Sequence, residues 1–347
     1  MNEFESTPRA LGYRAVPEWQ ENRACWSAWP AHDYAWGDFL SAAQGEYTAF
    51  CHALLRHDGA ELLELLVPDS AAEAAARSAL ALLGPRVNYR RMAAGDVWLR
   101  DTTPILVRKG RELGCVRFAF NGWGEKYLYP GDEDLAARMC ALLGLPQFAF
   151  DLITEGGALE FDGEGTCLTT DSCLCGDNRG GRTRAEVEAV LRDAFAIDAV
   201  LWLGEGLRGD HTDGHIDNLA RFVAPGVVMH SRPSGPEDPN GSALDAIAAE
   251  LGSARDAVGR SLRLFPIPSP GQVLGSDGAP LAASYLNFYL GNRSVVVPAF
   301  GTAYDEPARA AIAAFFTERD VISSPARAIL EGGGGTFHCM TRQEPRA

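Results

Sequence analysis

Cys339 follows a run of four glycines, Gly332 to Gly335, in the segment "EGGGGTFHCM", and His338 stands beside it. Glycine loses more conformational freedom on fixing than any other residue, so such a run marks backbone that passes close to something or adopts positive φ. A lone thiol there is a candidate nucleophile. A second stretch, "GDHTDGHIDNLARF", crowds ionisable residues directly ahead of an apolar strand, and density of this kind marks candidate functional sites. His215 and Asp217 alternate across Ile216, so in an extended segment both side chains would point to one face. An imidazole and a carboxylate aimed together supply an acid–base group and an electrostatic anchor.

Other polar stretches carry plainer readings. In "DVWLRDTTP", Trp98 reads as a packed indole and Arg100 with Asp101 as a surface ion pair ahead of a Pro-bounded strand. Glu155 in "TEGGALE" reads as the residue before a Gly-Gly turn. His211 and His215 stand four apart, which suits a metal on a helix, but Gly214 and the Thr-Asp pair between them argue against a helix there. The "CLC" cluster, Cys173 and Cys175 with Cys167 nearby, has no His or Cys pair at structural-zinc spacing. The eight cysteines are scattered, and most read as buried thiols of a reducing compartment. There is no G-x-S-x-G elbow, no Gly-Lys-Ser/Thr phosphate loop, and no strand-plus-G-x-G-x-x-G unit.

These stretches are far apart in the chain, so the fold must gather them. Strand-like runs include "ELLELLVP", "PILVR", "CVRFAF", "GALEFDG", "TCLTT", "AVLWL", "LARFVAPGVVMH", "SYLNFYLGN" and "SVVVPAF". Helical patterns occupy "AAEAAARSALALL", "DEDLAARMCALLG", "TRAEVEAVLRDAFA", "SALDAIAAELGSARDAVG" and "EPARAAIAAFFTE". The chain is therefore mixed α/β, with Ala-rich amphipathic helices packed around a strand-built centre. Stations with chemistry, from "CWSAWP" through "DVWLRDTTP", "TEGGALEFDG", "TDGHIDNLARF" and "SYLNFYLGN" to "EGGGGTFHC", recur about fifty to seventy residues apart, a period suited to repeated supersecondary units. One closed body of about five such units would bring them to a common centre.

A chain of 347 residues that is 46% hydrophobic and 22% charged has the apolar content for a large core. Its net charge of −15 argues against a nucleic-acid partner and favours approach of a small cation. No basic-then-apolar leader opens the chain, and no stretch reaches the roughly 18 apolar residues of a membrane span, so the expected location is cytoplasmic, away from membranes. The sequence leaves a homo-oligomer open.

Together, "VPEWQENRACWSAWP", "DVWLRDTTP", "NGWGEKY", "TEGGALEFDGEGTCLTTDSCL", "GDHTDGHIDNLARFV", "SYLNFYLGN", "VVVPAFG" and "GGGGTFHCMTRQEP" resemble, in order and near spacing, the motifs of the agmatine deiminase family. The resemblance covers nearly the whole chain. It implies the five-fold pseudosymmetric α/β propeller of the guanidine-modifying superfamily, built of ββαβ-type repeats around a central active site, as a single catalytic domain over residues 1–347. It also implies roles: Cys339 as nucleophile, His215 as acid–base, Asp101 and Asp217 as the two acids that grip a guanidinium, Glu155 as the residue orienting the histidine, and Trp98 as an aromatic wall. The chain departs from the family pattern at Thr103, His211, Arg342 and Glu344.

A guanidinium is flat, cationic and resonance-stabilised, so its carbon is a poor electrophile until two carboxylates orient it and localise its charge. The implied reaction is attack of the Cys339 thiolate, loss of ammonia protonated by His215, and hydrolysis of the amidino-thioether by water that His215 activates. Agmatine would give N-carbamoylputrescine, with no metal or organic cofactor required. Asp213, Trp98 and Trp123 are the residues expected to meet the substrate's distal amine. Alternatives are free arginine, whose α-carboxylate Arg342 or Arg293 would pair, or peptidyl-arginine, a metal hydrolase at His211 and His215, and a non-catalytic propeller that binds a cationic partner. Carboxylates near Cys339 should hold its thiol protonated until a cationic substrate arrives.

Overall fold

The computed structural model describes residues 6–347; residues 1–5, the start of the span expected to form one domain, lie outside the described residues. Among the described residues the strands form five separate sheets, each built on the same three-strand unit, with Arg14–Ala15 added to one and Val87–Arg91 to another. A first strand pairs antiparallel with a second, a helix follows, and a third strand returns parallel to the second. Thus Ile105–Lys109 pairs with Glu112–Ala119, and Gln147–Ile153 joins after the helix Leu135–Leu143. Glu160–Phe161, Thr166–Thr170 and Ala199–Leu203 repeat the pattern around the helix Arg184–Phe195. So do Ala220–Ala224, Val227–Arg232 and Arg263–Pro268 around Gly241–Ser253, and Tyr289–Leu290, Ser294–Ala299 and Asp320–Pro325 around Asp305–Phe315. The last sheet joins the chain ends. Arg342–Pro345 pairs antiparallel with Asn22–Ala28, which is followed by the helix Leu40–Leu54 and the parallel strand Leu62–Val67.

Local chemistry explains the elements. Second strands such as Ser294–Ala299 and Thr166–Thr170, flanked on both sides, are near-continuous apolar or small runs, buried along almost their whole length. The helix Arg184–Phe195 opens with a capping box in which Thr183 and Glu186 satisfy each other's backbone donors. Parallel returns need a crossover of a dozen residues or more, which these helices supply.

The first strands are short, and each is entered from a turn that holds polar side chains. Asp101 lies in the helical turn Leu99–Thr102 and Asp217 in Ile216–Asn218, Glu155 directly precedes the turn Gly156–Ala158, and Asn287 and Cys339 lie two and three residues ahead of Tyr289–Leu290 and Arg342–Pro345. The repeat unit therefore delivers one loaded turn per sheet. Two expected strands give way to these turns. "GALEFDG" is a strand only at Glu160–Phe161, and "SYLNFYLGN" only at Tyr289–Leu290. The reason is that Ser284 and Asn287 hydrogen-bond other turns, with Ser284 Oγ on the Asn218 carbonyl at 2.7 Å, rather than a neighbouring strand.

Candidate active site

Cys339 lies in a cavity of about 190 Å³ whose lining includes Asp96, Trp98, Asp101, Trp123, Asn218 and Glu331, with Gly332 to Gly335 along one side and Tyr127, Tyr129 and His211 toward the rim. The glycine run has a steric cause. A Cβ on Gly335 would stand 2.7 Å from Trp98 Cζ3 and 3.2 Å from Cys339 Sγ, and Gly334 holds φ at +84°. Backbone thus lies flat against the Trp98 indole. That indole is fixed in turn: its Nε1 donates to Asp96 Oδ2 at 2.8 Å, Trp36 Nε1 donates to the other oxygen of Asp96 at 2.8 Å, and the two rings stack at 6.0 Å. Burial pushes Asp96 up to about 6, against the two indole donors.

Asp101 is positioned by two donors. The Gly157 N–H reaches Oδ1 at 2.9 Å, and Trp123 Nε1 reaches Oδ2 at 2.9 Å. Trp123 sits at φ 54°, a left-handed conformation rare for a bulky residue, which turns its indole onto this carboxylate. His215 is fully buried, with Nε2 3.5 Å from Glu155 and Nδ1 3.9 Å from Asp101 Oδ2. Burial opposes charge on this ring, but Asp101, the Cys173 thiol and Glu155 outweigh it and hold the histidine well above its ordinary range. Glu155 is buried too, yet His215 and Arg179, 3.0 Å away, keep it ionised. His215 and Asp217 belong to a tight turn rather than a strand, so their convergence comes from the turn Ile216–Asn218 and not from alternation on one strand face.

The nucleophile candidate has two polar side chains beside its sulfur. Asn287 Nδ2 donates to Cys339 Sγ at 3.0 Å, while its Oδ1 accepts from Thr336 Oγ1 at 2.8 Å and from the backbone of His338 at 3.1 Å. Asp217 Oδ2 lies 3.5 Å from the same sulfur. Burial, Asp217 and Asp101 push the thiol well above its usual range, opposed by the Asn287 donor, so without a cation beside it the sulfur is protonated. Asp217 Oδ2 also meets His338 Nδ1 at 2.7 Å, and Nε2 of that ring lies 2.9 Å from Glu18. Glu18 accepts from Arg100 at 2.6 Å, from Arg221, and from Gln343 at 3.0 Å.

The structure therefore brings Cys339, His215, Glu155, Asp101 and Asp217 together, with Trp98 and Trp123 on the cavity wall. Asp213 is elsewhere: its carboxylate is committed to Lys126 at 2.5 Å, Asn178 at 2.9 Å and Arg179 at 3.0 Å, away from Cys339. Nor does Arg342 reach the cavity. It is buried, donates to the Arg100 carbonyl, and lines a separate small cavity with Glu18 and Glu160. Arg293 is exposed in a turn away from the lining. Glu344 pairs with Arg23 and accepts from Trp26 Nε1 at 2.7 Å, and Thr103 caps the Leu99 carbonyl. Of the four departures, only His211 stands at the cavity, its ring stacked on Tyr127 at 5.6 Å.

Sequence reading missed Asn287, Glu18, Arg179 and Asp96. Asn287 lies in a station singled out by its spacing, and its polarity inside an apolar run was the available signal. Among the described residues two clusters bring metal-ligand types within 4.8 Å, namely Glu155 with Cys173 and His215, and Glu18 with Glu160 and His338. Guanidinium groups already balance both, Arg179 in the first and Arg100 with Arg221 in the second. His211 and His215 do not share either cluster, His215 being buried and His211 exposed.

The family model described as Porphyromonas-type peptidyl-arginine deiminase matches residues 14–345. The chain is 35% identical to the agmatine deiminase of Stutzerimonas stutzeri and 36% identical to that of Ectopseudomonas mendocina, each alignment covering 99% of both chains. A solved structure, the agmatine deiminase of Enterococcus faecalis catalyzing its reaction, matches with a TM-score of 0.92 at 27% identity, over 100% of both chains.

Proposed function

Because the chain belongs to the Porphyromonas-type peptidyl-arginine deiminase family, we propose that it is an agmatine deiminase, a hydrolase that cleaves a guanidine C–N bond to give N-carbamoylputrescine and ammonia. The observation that carries the choice of substrate is the cavity itself. Its lining includes Asp96, Asp101 and Glu331 with Trp98, Tyr127 and Tyr129, and among the described residues no arginine or lysine lines it. A dication suits such walls, whereas the carboxylate of free arginine would be buried without a partner.

In this reading Asp101 and Asp217 take the guanidinium N–H groups, the unpartnered Oδ1 of Asp217 being free to accept one. The Cys339 thiolate attacks the guanidinium carbon, and Asn287 supports the developing charge on sulfur. His215, held as imidazolium, gives its proton to the leaving ammonia, then removes one from the water that cleaves the thioether. Glu155 orients that ring and Arg179 anchors Glu155. Trp98 and Trp123 form the walls along which the methylene chain lies.

The five ββαβ sheets support a five-fold propeller as a single catalytic domain over 1–347, with the loaded turns facing its centre. No helix among the described residues is long and apolar enough to cross a membrane; a cytoplasmic enzyme, free to form homo-oligomers, is part of the same reading. Incubating the protein with agmatine, arginine and an arginyl peptide while measuring ureido product tests it. Agmatine should be preferred by kcat/KM. Equal or reversed preference moves the assignment to an arginine-directed deiminase.

A further inference from the structure

Among the described residues four arginines are buried, Arg100, Arg179, Arg221 and Arg342. Burying a charge is costly unless it is paired and hydrogen-bonded, and three of the four meet that condition. Arg179 bonds Glu155 and Asp213. Arg221 bonds Glu18, Glu160 and the carbonyls of Leu286 and Phe288. Arg100 bonds Glu18 at 2.6 Å, Gln343 at 2.6 Å and the His338 carbonyl at 3.2 Å. Arg342 is the exception. It is 6% exposed, forms no ion pair among the described residues, and gives one N–H, on Nη2, to the Arg100 carbonyl, while Nε has no acceptor.

A second donor stands idle at the same place. Asn22 is 2% exposed, its Nδ2 lacks an acceptor, and with Arg342 it lines a cavity of about 40 Å³ that is walled also by Pro17, Glu18, Arg100 and Glu160. Buried polar groups in folded proteins nearly all find a partner, so two orphaned donors in one small cavity require an acceptor there. The volume has room for one small ion with a water or two. Water alone would meet the N–H groups but bring no charge to the guanidinium.

We propose that this cavity binds a small monovalent anion of chloride size, held by Arg342 Nε and Asn22 Nδ2. The carboxylates that share its wall are already committed. Both oxygens of Glu18 are taken, by Arg100, Arg221, His338 and Gln343. Glu160 is bound to Arg221, and burial lifts it to about 8 against the pull of that guanidinium, so at neutral pH it carries little charge to repel an anion. Burial and the like charge of Arg100 bring Arg342 down to about 9, with Glu18 and Asp101 opposing; an anion in contact offsets that penalty. Because Arg342 holds the carbonyl of the residue before Asp101, an anion that fixes the guanidinium also steadies the turn Leu99–Thr102. This cavity shares no lining residue with the one that contains Cys339, and the anion site does not depend on the deiminase reading.

The test is thermal melting of wild type and Arg342→Gln in sodium chloride against sodium gluconate at equal ionic strength, gluconate being too large for the cavity. An anion bound by the native state alone raises the melting temperature along a saturating curve. Wild type should gain roughly 2–4 °C in chloride over gluconate, and Arg342→Gln should gain none. Equal melting of the wild type in the two salts overturns the site, as does a variant that responds to chloride as the wild type does. Should Arg342→Gln fail to fold, crystals of the wild type grown with sodium bromide decide. An anomalous peak within about 3.5 Å of both Arg342 Nε and Asn22 Nδ2 supports the site. Water or no density there, wherever else bromide lies, overturns it. Neither readout uses turnover, so both stand whether or not the protein releases ureido product.

Discussion

Replacing Gly335 with alanine asks whether the glycine run exists to let Trp98 lie against the nucleophile's backbone. The new Cβ would stand 2.7 Å from Trp98 Cζ3, 3.0 Å from Cys339 Cβ and 3.2 Å from Cys339 Sγ. Carbon pairs settle at about 3.5–4.0 Å, so roughly 1 Å of overlap with the indole must be relieved. Trp98 cannot simply pivot, because its Nε1 is bound to Asp96 at 2.8 Å and its ring is stacked on Trp36. Overpacking of this kind costs about 1–3 kcal/mol in stability. The larger effect should fall on activity, since displacing wall or sulfur by about 1 Å costs about a hundredfold in rate. Gly334→Ala is the control: its φ of +84° strains an alanine, but its Cβ would meet only the His211 ring, at 3.3 Å or more. It should lose about 1–2 kcal/mol of stability from the left-handed backbone with kcat/KM nearly unchanged. Thermal melts and agmatine kinetics on both variants decide. A folded Gly335→Ala with wild-type kcat/KM would refute the role given to Trp98.

Cys339→Ser should abolish turnover while agmatine still raises the melting temperature, because a hydroxyl in this pocket yields almost no alkoxide; retention of a tenth of the activity would exclude the covalent route. Asp101→Asn and Asp217→Asn should each lower kcat/KM by the equivalent of about 2–5 kcal/mol, through both KM and kcat, since each removes one half of a buried charge-assisted grip. Glu155→Gln removes an anion that helps hold His215 above its ordinary range. The histidine then loses its proton at lower pH, so the alkaline limb of kcat should move down, and superimposable pH profiles would separate Glu155 from His215. Arg342→Gln should leave the preference between agmatine and arginine unchanged, as measured by competition kinetics, because the guanidinium lies outside the cavity.

Much of the site was legible because its residues are chemically unusual for their surroundings. The four glycines beside a cysteine and the acids around His215 are uncommon enough to stand out in a single sequence. Five sheets of one pattern were legible only as recurring stations, and the strands between them were found unevenly. The third strands Gln147–Ile153 and Arg263–Pro268 went unread, as did the 15-residue helix Leu40–Leu54. That helix carries Gly45 and buries Tyr47 and Phe50, so neither its composition nor its periodicity resembles the Ala-rich helices elsewhere. Asp213 was expected at the distal amine as an acid offered by the same station as His215, yet its side chain goes elsewhere. At φ 68° its backbone turns left-handed and carries the carboxylate to Lys126 and Arg179. Asn287 and Glu18 could not be assigned from spacing, since each acts across sheets, on residues 52 and 320 positions away.

The layer formed by Asp101, Asp217, His338 and Cys339 separates two unlike environments. On the cavity side stand carboxylates and indoles; behind it lie Arg100, Arg221 and Arg342, packed with Glu18, Glu160 and Gln343. Burial alone would drive protons onto the front carboxylates, and it does push Asp101 up, with Asp217 and Glu155 adding to the effect and His215 opposing it. Asp217 is instead held low, burial notwithstanding, through its bond to His338 with His215 and Arg221 nearby. The rear cations are not free for a substrate: Arg100 and Arg221 are spent on Glu18 and backbone carbonyls, and crowding by burial and by Arg100 brings Arg342 down to about 9. In the proposed reading, a cationic guanidine entering from the front would complete the balance by pairing with Asp101 and Asp217, lowering the cost of a thiolate beside them. An arginine carboxylate would face the same acids with every nearby guanidinium already engaged on the other side of the layer. In the proposed reading, placing the guanidinium groups behind the layer, with no arginine or lysine among the described residues that line the cavity, serves two ends at once: it keeps Asp217 ionised, and it favours the guanidine whose far end is an amine.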